Sequence, residues 1–236
     1  MASGRGSRGP RRPLPAPGEL TVSWWDAGWI ERRSIRGGLE RALPYVSGVV
    51  LDAGCGDGRH RSLLASRARL YVGCDMAPKP GVSVRADVAA MPFGDSSIDT
   101  VVSVQVLDDL PEPARFFESA ARVLKPGGHL VLTAPFFWRT HDLPHDYFRF
   151  TAAGLTWLAE RHGFEVVCLD PRGGFWATSG QMTSLYFWSI LGRGPAKPVA
   201  TAFCTFIQAL ALLLEGVHHD PRQTLGYSMV ARKLAG

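Results

Sequence analysis

The residues with the clearest chemical pattern are three glycines that directly follow a short apolar run. The stretch VVLDAGCGDGRH, from Val49 to His60, contains Gly54, Gly56 and Gly58 at alternate positions. Because glycine has no side chain, its backbone can approach a bound ligand closely. The pattern therefore predicts a binding site for a phosphate, a nucleotide or a nucleoside at this loop.

The spacing of the glycines separates these ligands. A dinucleotide-binding fold carries G-x-G-x-x-G after its first strand, whereas this loop reads G-x-G-x-G. A phosphate-binding P-loop needs G-x-x-x-x-G-K-[ST], and the loop lacks that lysine. Asp75, about 20 positions further on, could hold the ribose hydroxyls of either a nicotinamide or an adenosyl ligand. The glycine spacing, rather than Asp75, is therefore the residue pattern that discriminates.

Strand and helix patterns alternate around this loop. Strand patterns cover 48–54, 70–76, 82–87, 98–107, 128–135 and 165–171, and helical patterns cover 24–46, 59–68, 111–124 and 151–164, the first with a break at its Gly-Gly pair. This order predicts an α/β fold with a mostly parallel sheet and helices on both faces. Ligands of such sheets bind beyond the carboxyl ends of the strands. Residues 52–58, Asp75, Asp87 and Gln105 lie at or just after strand ends and should meet in one crevice.

Four motifs follow one another in order: D-x-G-x-G-x-G, GCDM, RADVAAMPFGDSSIDTVVS and RVLKPGGHLVLTAP. From about Val49 to Leu169 this series resembles the class I S-adenosylmethionine-dependent methyltransferases. The resemblance implies a Rossmann-like sheet of seven strands, mostly parallel with an antiparallel last strand, and S-adenosyl-L-methionine as the cofactor. It also implies a methyltransferase domain over 19–236, with a helical cap at 24–46 and a helical insertion at 172–222 before the last strand.

The resemblance further implies where the methionine part of the cofactor would lie. The backbone of the loop from Gly54 to Gly58, including Cys55 and Gly56, would approach the methionyl group, since a side chain there would block it. Asp52 would help to hold its amino group. Gln105, at the end of the fourth strand, would line the methyl-donor end.

On the adenosine side, the resemblance implies roles for four residues. Asp75 would accept hydrogen bonds from both ribose hydroxyls, and Met76 would pack on the adenine face. Asp87 would accept a hydrogen bond from the exocyclic amine of adenine, with Val88 beside it. Ordinary core packing is the alternative for Met76 and Val88, and plain loop acids are the alternative for Asp75 and Asp87.

The segment after the fourth strand departs from the family pattern. Many relatives carry a Glu-His pair there, whereas this chain reads VLDDLPEP, with Asp108 and Asp109. A histidine that helps catalysis in some relatives therefore has no counterpart at this place. Because acids favour the N-terminus of a helix, we interpret the pair as solvated acids that precede the next helix.

The loop after the fifth strand carries the candidate catalytic residues. FFWRTHDLPHDYFRFT, residues 136–151, places His141, His145, Tyr147 and Arg149 among aromatic side chains. In the family fold this segment would lie over the methyl group, so a histidine could act as a base while Tyr147 or Arg149 orients the acceptor. A hydroxyl acceptor must lose its proton, whereas an amine acceptor needs only to be neutral. The sequence does not rank His141 and His145.

Two other interpretations of this loop stay open. Asp142 or Asp146 could cap the next helix while the aromatic side chains close the core. A metal site of two histidines and two aspartates is disfavoured, because Pro144 breaks the helical spacing that would aim His141 and His145 together, and no metal is predicted. The loop also resembles the "HxxPxDYxRFT" segment of bacterial methyltransferases from cell-surface glycan and natural-product pathways, which suggests such acceptors.

A long insertion separates the sixth strand from the last one, GYSMVARKL. It contains helical patterns at 178–191 and 198–219, and the second is uncharged from Pro198 to Leu214. A membrane-spanning helix needs about 20 predominantly apolar residues, and the second pattern also contains threonines and a glutamine, so no transmembrane helix is predicted. Segment 178–219 could form an apolar lid over a lipid-linked or aromatic acceptor, a homodimer interface or a peripheral membrane contact. The apolar acceptor pocket is the preferred interpretation.

Composition and charge narrow the classes of partner. Residues 1–18 contain four arginines and no acid, so most of the formal net charge of +5 belongs to this segment, which we expect to be a disordered basic tail. The nearly neutral remainder disfavours a nucleic-acid partner. The four cysteines form no C-x-x-C pair, and the tail has no apolar segment of an export signal. We therefore expect a cytoplasmic protein with reduced thiols.

The residues and the resemblance together predict an adenosylmethionine-dependent methyltransferase. Its acceptor would be a small molecule or a lipid-carried group, methylated at oxygen or nitrogen in a natural-product or glycan pathway. Two alternatives stay open: methylation of a ring carbon in an aromatic or quinone acceptor, and a noncatalytic adenosylmethionine-binding module that serves a partner. Binding without any turnover would indicate the module.

Overall fold

The computed structural model describes residues 23–235. The expected basic tail, residues 1–18, lies outside the described residues. The helices are α1 (Trp29–Ala42), α2 (Arg61–Ala65), α3 (Pro113–Val123), α4 (Ala152–Arg161), α5 (Phe175–Leu191) and α6 (Lys197–Val217). The strands are β1 (Val49–Ala53), β2 (Leu70–Asp75), β3 (Val84–Arg85), β4 (Ile98–Val104), β5 (Leu124–Pro135), β6 (Phe164–Pro171) and β7 (Gly226–Lys233).

All seven strands form one sheet in the order β3-β2-β1-β4-β5-β7-β6. The pairs from β3 to β5 are parallel, and β7 is antiparallel to both β5 and β6. The strand order reverses direction between β1 and β4, which is where such sheets bind their ligands. The predicted fold class, an α/β sheet with an antiparallel last strand, is confirmed.

Helices cover both faces of the sheet. On one face α3 and α4 bury Phe116, Phe117 and Leu155 against the apolar side of the strands. On the other face α1 and α2 bury Leu39 and Leu64. Because side chains alternate between the two faces of a strand, a sheet covered on both sides needs apolar residues at consecutive strand positions, as the run at the start of β1 provides.

The break expected at the Gly-Gly pair does not occur, because α1 runs without interruption from Trp29 to Ala42. The pair instead allows close packing. A Cβ added to Gly38 would lie 2.2 Å from Ser228 Oγ, so α1 rests directly on β7 at this point. Gly37 faces open space apart from the side chain of Arg41.

Helices α5 and α6 pack on each other and on the N-terminal end of α1. Two buried glutamines make the connection. Gln181 of α5 accepts a hydrogen bond from Glu31 N at 3.0 Å, and Gln208 of α6 accepts one from Ile30 N at 3.2 Å. The first turn of a helix has no internal acceptor for these N–H groups. The two glutamines therefore cap α1 and tie the helical pair to the domain.

Close packing between α5 and α6 predicts that alanine substitutions at two helical glycines have opposite effects on the free energy of unfolding. A Cβ on Gly180 would lie 2.3 Å from Ala211 Cβ, whereas a Cβ on Gly216 would meet nothing within 4 Å. Gly180→Ala should therefore lower the free energy of unfolding by about 1–3 kcal/mol. Gly216→Ala should raise it by up to about 1 kcal/mol, since alanine favours helix. Urea denaturation of both variants tests this, and equal effects would contradict the packing.

Candidate functional site

The glycine loop joins β1 to α2 at the carboxyl edge of the sheet. Gly54, Gly56 and Gly58 all have positive φ angles, 83°, 52° and 75°, which side chains disfavour. A Cβ on Gly54 would lie 2.2 Å from a methyl carbon of Val106, so the loop touches the segment after β4. A Cβ on Gly56 would meet nothing nearer than Lys79 Nζ at 3.9 Å, which leaves its backbone open to a ligand.

Asp75 ends β2 beside this loop. Its Oδ2 accepts a hydrogen bond from Gly56 N and its Oδ1 accepts one from Ala77 N, both at 2.9 Å. Each carboxylate oxygen has a further lone pair available for a ligand hydroxyl. Met76 is 63% exposed, so core packing does not account for its side chain.

Asp87 and Val88 follow β3 and have different environments. Asp87 is exposed, and its Oδ1 accepts a hydrogen bond from Ala89 N at 2.8 Å, which starts a short 3-10 turn. Its second oxygen stays available. The side chain of Val88 is buried in the core beneath the sheet edge. Only the backbone of Val88 can therefore contribute to a ligand site.

Asp52 lies beneath the loop and is almost fully buried. The hydroxyl of Tyr71 donates a hydrogen bond of 2.6 Å to its Oδ2. Burial raises the pKa of Asp52 to about 6, although the hydrogen bond from Tyr71 opposes this. The neighbouring Cys55 is also buried, and burial raises the pKa of its thiol to about 12, so it stays protonated.

A group of buried polar side chains lies next to the carboxyl ends of β4 and β5. Gln105, with a positive φ of 54°, donates from Nε2 to Glu31 of α1 at 3.2 Å, and its Oε1 has no partner among the described residues. Burial raises the pKa of Glu31, which the nearby Arg172 opposes. Arg172 is 2% exposed, and burial lowers its pKa to about 10. Glu31 and Arg172 were not predicted from the sequence, because a single acid in a helix pattern and a single arginine after a strand carry no motif.

Asp108 is a correction to the sequence interpretation, because its side chain is 0% exposed rather than solvated. Helix α3 begins only at Pro113, so Asp108 does not precede it directly. Asp108 Oδ2 lies 3.4 Å from His141 Nε2, and Asp146 Oδ1 lies 3.5 Å from His141 Nδ1. Burial raises the pKa of Asp108 to about 6 and also raises that of Asp109. We call Asp108, Asp109, His141 and Asp146 the His141 cluster.

The structure separates the two candidate histidines. His141 lies between two carboxylates. His145 is exposed, and its imidazole makes a single hydrogen bond among the described residues, between Nδ1 and the hydroxyl of Tyr147 at 3.3 Å. Tyr147 itself is half exposed, and its backbone N–H donates to the carbonyl of Asp108 at 2.9 Å. The loop after β5 is thus fastened to the segment after β4, with His141 on its inner side and His145 on its outer side.

Arg149 does not have the role expected for it. Its Nε and both terminal nitrogens donate five hydrogen bonds, to both carboxylate oxygens of Asp146 and to the carbonyls of Trp138, Arg139 and Phe148. A guanidinium has five N–H donors, so none is left to orient an acceptor. Arg149 instead holds the loop in shape and lowers the pKa of Asp146 by hydrogen bonding.

The sequence of this chain is similar to that of known methyltransferases. A family sequence profile described as "Methyltransferase domain" matches residues 51–132. A Mycolicibacterium smegmatis protein named as a probable S-adenosylmethionine-dependent methyltransferase is 38% identical in an alignment 172 positions long, gaps included, which covers 65% of this chain and 66% of that protein. The chain belongs to the class I S-adenosylmethionine-dependent methyltransferases. It spans about half the length of further mycobacterial relatives.

Solved structures show the same fold at low sequence identity. A Burkholderia thailandensis 1,6-didemethyltoxoflavin-N1-methyltransferase, with bound 1,6-didemethyltoxoflavin and S-adenosylhomocysteine, is 17% identical with a TM-score of 0.56, covering 88% of this chain and 81% of that one. The [4+2]-cyclase SpnF is 21% identical with a TM-score of 0.56, covering 86% and 81%. Since a cyclase shares the methyltransferase fold, the fold alone does not determine the reaction.

The residues of this methyltransferase domain fit the family's cofactor, S-adenosylmethionine. The open backbone at Gly56 leaves room that a side chain would fill. Asp75 offers two carboxylate oxygens for ribose hydroxyls, and the exposed Met76 offers an apolar surface for adenine. Asp87 has a free oxygen for the adenine amine. Space at Gly56, carboxylate oxygens at Asp75 and Asp87 and an apolar surface at Met76 thus suit the methionyl group, the ribose and the adenine of the ligand.

The raised pKa of Asp52 predicts a pH dependence of cofactor binding. An ionised Asp52 would attract the amino group of adenosylmethionine, so affinity should fall as the pH drops through about 6. Tyr71→Phe removes a hydrogen bond that favours the ionised form, so the midpoint should move to higher pH. Calorimetric titration between pH 5 and pH 8 measures this, with Tyr45→Phe as the control. A midpoint that stays in place in Tyr71→Phe would contradict the role of Asp52.

Proposed function

We propose that the protein transfers a methyl group from S-adenosylmethionine to a hydroxyl or amine of a small or lipid-carried acceptor. The observation that supports this most strongly is the contact between two sites. The glycine loop touches Val106, and Asp108 follows two positions later with His141 beside it. The cofactor loop and a group of proton-accepting side chains are therefore adjacent.

The glycine loop and the His141 cluster have different roles in the proposed methyl transfer. When bound, adenosylmethionine supplies an electrophilic methyl group on a sulfonium. Asp75 and the glycine loop orient the cofactor, and alignment of reacting groups can contribute about 7–11 kcal/mol to catalysis. The carboxylates and the imidazole of the His141 cluster hold the acceptor and draw off the proton that a hydroxyl releases. An amine acceptor would be held by the same carboxylates.

A lipid-carried acceptor is favoured by the outer face of the α5–α6 pair. Exposed apolar side chains cover this face: Tyr186, Ile190, Val199, Phe206, Leu210, Leu213 and Val217. Between Phe175 and Leu214 the only charged residues are Arg193 and Lys197, and both are exposed cations. An apolar surface with a basic rim fits an anionic membrane surface, which attracts lysine and arginine.

The tryptophans beside α6 and the hydrogen bonds of Gln208 support contact with a membrane surface rather than a helix that spans the membrane. A wide groove of about 730 Å³ separates Trp24 and Trp25 from the start of α6, and tryptophans favour the membrane interface. The segment Gly194–Val217 is long and apolar enough to cross a membrane by length and composition, with 22% of its most apolar window buried. The buried Gln208, however, hydrogen-bonds α1. We therefore propose that this segment lies on a membrane surface.

The experiment uses adenosylmethionine labelled with tritium in the methyl group. The protein is incubated with a bacterial total lipid extract and, separately, with the water-soluble small-molecule fraction. Label in the lipid fraction supports a lipid-carried acceptor, and label in the soluble fraction alone supports a free small molecule. Label in neither would contradict the proposed acceptor class.

The membrane contact predicts a selective loss in one variant. Phe206 is 64% exposed on α6, and burying such a side chain in an apolar phase contributes about 1.5–3 kcal/mol. Phe206→Glu should therefore lower transfer to vesicle-embedded lipid by about tenfold or more without changing affinity for adenosylmethionine. Trp157→Glu makes the same kind of change on α4, which packs on the sheet face away from α1. Equal losses in the two variants would contradict docking through α6.

A further inference from the structure

The His141 cluster contains an unusual number of buried polar atoms without partners. Among the described residues, no hydrogen bond reaches Asp108 Oδ1, Asp108 Oδ2, Asp109 Oδ1 or His141 Nδ1. Asp108 has no exposed surface, so bulk solvent does not reach its carboxylate. A buried carboxylate without a partner is costly, and native proteins rarely leave one uncompensated.

Within the described part of the chain, two carboxylates of the His141 cluster have no lysine or arginine to balance their charge. Arg149 is bound to both oxygens of Asp146. Arg172, the other cation near Asp108, is also attracted by Glu31. Among the described residues, no lysine or arginine therefore forms an ion pair with Asp108 or Asp109, and two carboxylates are left without a dedicated cation.

The geometry of the cluster suits a single small cation. One ligand atom from each of Asp108, Asp109, His141 and Asp146 lies within 4.8 Å of all the others. Three carboxylates and one imidazole form a donor set that binds first-row divalent ions such as Mn²⁺, Fe²⁺ or Zn²⁺. Asp146 is oriented for this by Arg149 and by the backbone N–H of His141, which donates to its Oδ2 at 3.0 Å.

We propose that Asp108, Asp109, His141 and Asp146 bind a divalent metal ion. This inference rests on the proposed function, because methyl transfer is the reaction in which the bound ion would act on the acceptor. A divalent ion polarises a bound oxygen and lowers the pKa of its proton. With an ion bound, the side chains of the cluster would be metal ligands, and the acceptor hydroxyl would lose its proton to solvent instead of to the cluster. The oxygen–methyl bond would form as the methyl–sulfur bond of adenosylmethionine breaks, which releases adenosylhomocysteine.

The sequence did not reveal this site because its ligands come from two distant segments. The metal site that the sequence disfavoured consists of two histidines and two aspartates within the loop after β5. That set includes His145, which lies on the outer side of the loop. The structure replaces it with Asp108 and Asp109 from the segment after β4. His145 is therefore a natural control for the ligands.

The test is titration of the chelator-treated full chain with Mn²⁺, followed by the paramagnetic resonance signal of free Mn²⁺, with Zn²⁺ as a competitor. We expect one bound ion per chain, with affinity at least about tenfold weaker in Asp108→Asn and in His141→Gln and unchanged in His145→Gln. Circular dichroism confirms that each variant is folded. Asp108→Asn removes an uncompensated buried charge and should not unfold the chain.

Two results would overturn the metal site. One is the absence of Mn²⁺ and Zn²⁺ binding by the folded wild-type chain, and the other is equal Mn²⁺ affinity in wild type and both ligand variants. Calorimetry with adenosylmethionine on the same metal-free protein separates this failure from that of the proposed function. Cofactor binding without metal binding removes only the metal site, whereas loss of cofactor binding removes the proposed function.

Discussion

Asp75→Ala is expected to weaken binding of adenosylmethionine by about 100-fold or more. The carboxylate lies beside the open backbone of Gly56 and can accept a hydrogen bond from each ribose hydroxyl. Hydrogen bonds to a charged group contribute about 1.5–3 kcal/mol each. The loss of two such bonds therefore amounts to about 3 kcal/mol or more, which is roughly a 100-fold change in dissociation constant.

The design must separate a lost ligand contact from a distorted loop. Asp75 also accepts from the backbone of Gly56 and Ala77, so alanine could disturb the loop itself. Asp75→Asn keeps the shape and one acceptor oxygen, and should show an intermediate loss. Asp95→Ala, an exposed acid that pairs with Arg122 far from the loop, serves as the charge control. Equal calorimetric affinity for adenosylmethionine in wild type and Asp75→Ala would contradict the assignment of the cofactor site.

His141→Ala is expected to slow methyl transfer by at least about 100-fold while leaving affinity for adenosylmethionine unchanged. The imidazole lies between Asp108 and Asp146, where it either accepts the acceptor's proton or holds the proposed ion. Loss of a positioned proton-transfer group typically costs about 10²–10⁴-fold in rate. The rate is measured as tritium transferred from labelled adenosylmethionine into the lipid or soluble acceptor fraction.

His145→Ala provides the comparison for His141. Its imidazole is exposed and hydrogen-bonds no described side chain other than Tyr147. An exposed substitution of this kind changes free energies by about 0.5 kcal/mol or less, so the transfer rate should change by no more than about twofold. The opposite order, with His145→Ala slow and His141→Ala near wild type, would show that the acceptor enters from the outer side of the loop.

The sequence predicted those parts of the fold and site that depend on local patterns. Apolar runs and helical spacing are set by a few neighbouring residues, which is why the strands and their alternation with helices could be predicted. The glycine loop is equally local, since the positive φ angles at Gly54, Gly56 and Gly58 favour glycine. The end of each parallel strand then places Asp75 and Asp87 at one edge of the sheet.

The features that were missed depend on contacts between distant segments. Asp108 was interpreted as solvated because nothing in VLDDLPEP shows that the loop carrying His141 covers it. The Gly-Gly pair of α1 was expected to break the helix, because local propensity does not show that Gly38 must fit against Ser228. Likewise, Gln181 and Gln208 carry no motif, although they cap a helix more than 100 residues away in the chain.

The central claim is that the glycine loop binds S-adenosylmethionine, and calorimetric titration of the purified chain tests it most directly. The protein is titrated with adenosylmethionine and, in a separate experiment, with NAD⁺. Saturable one-to-one binding of adenosylmethionine, with no heat of binding for NAD⁺, is the result we predict. Binding of NAD⁺ in place of adenosylmethionine, or of neither ligand, would contradict the claim.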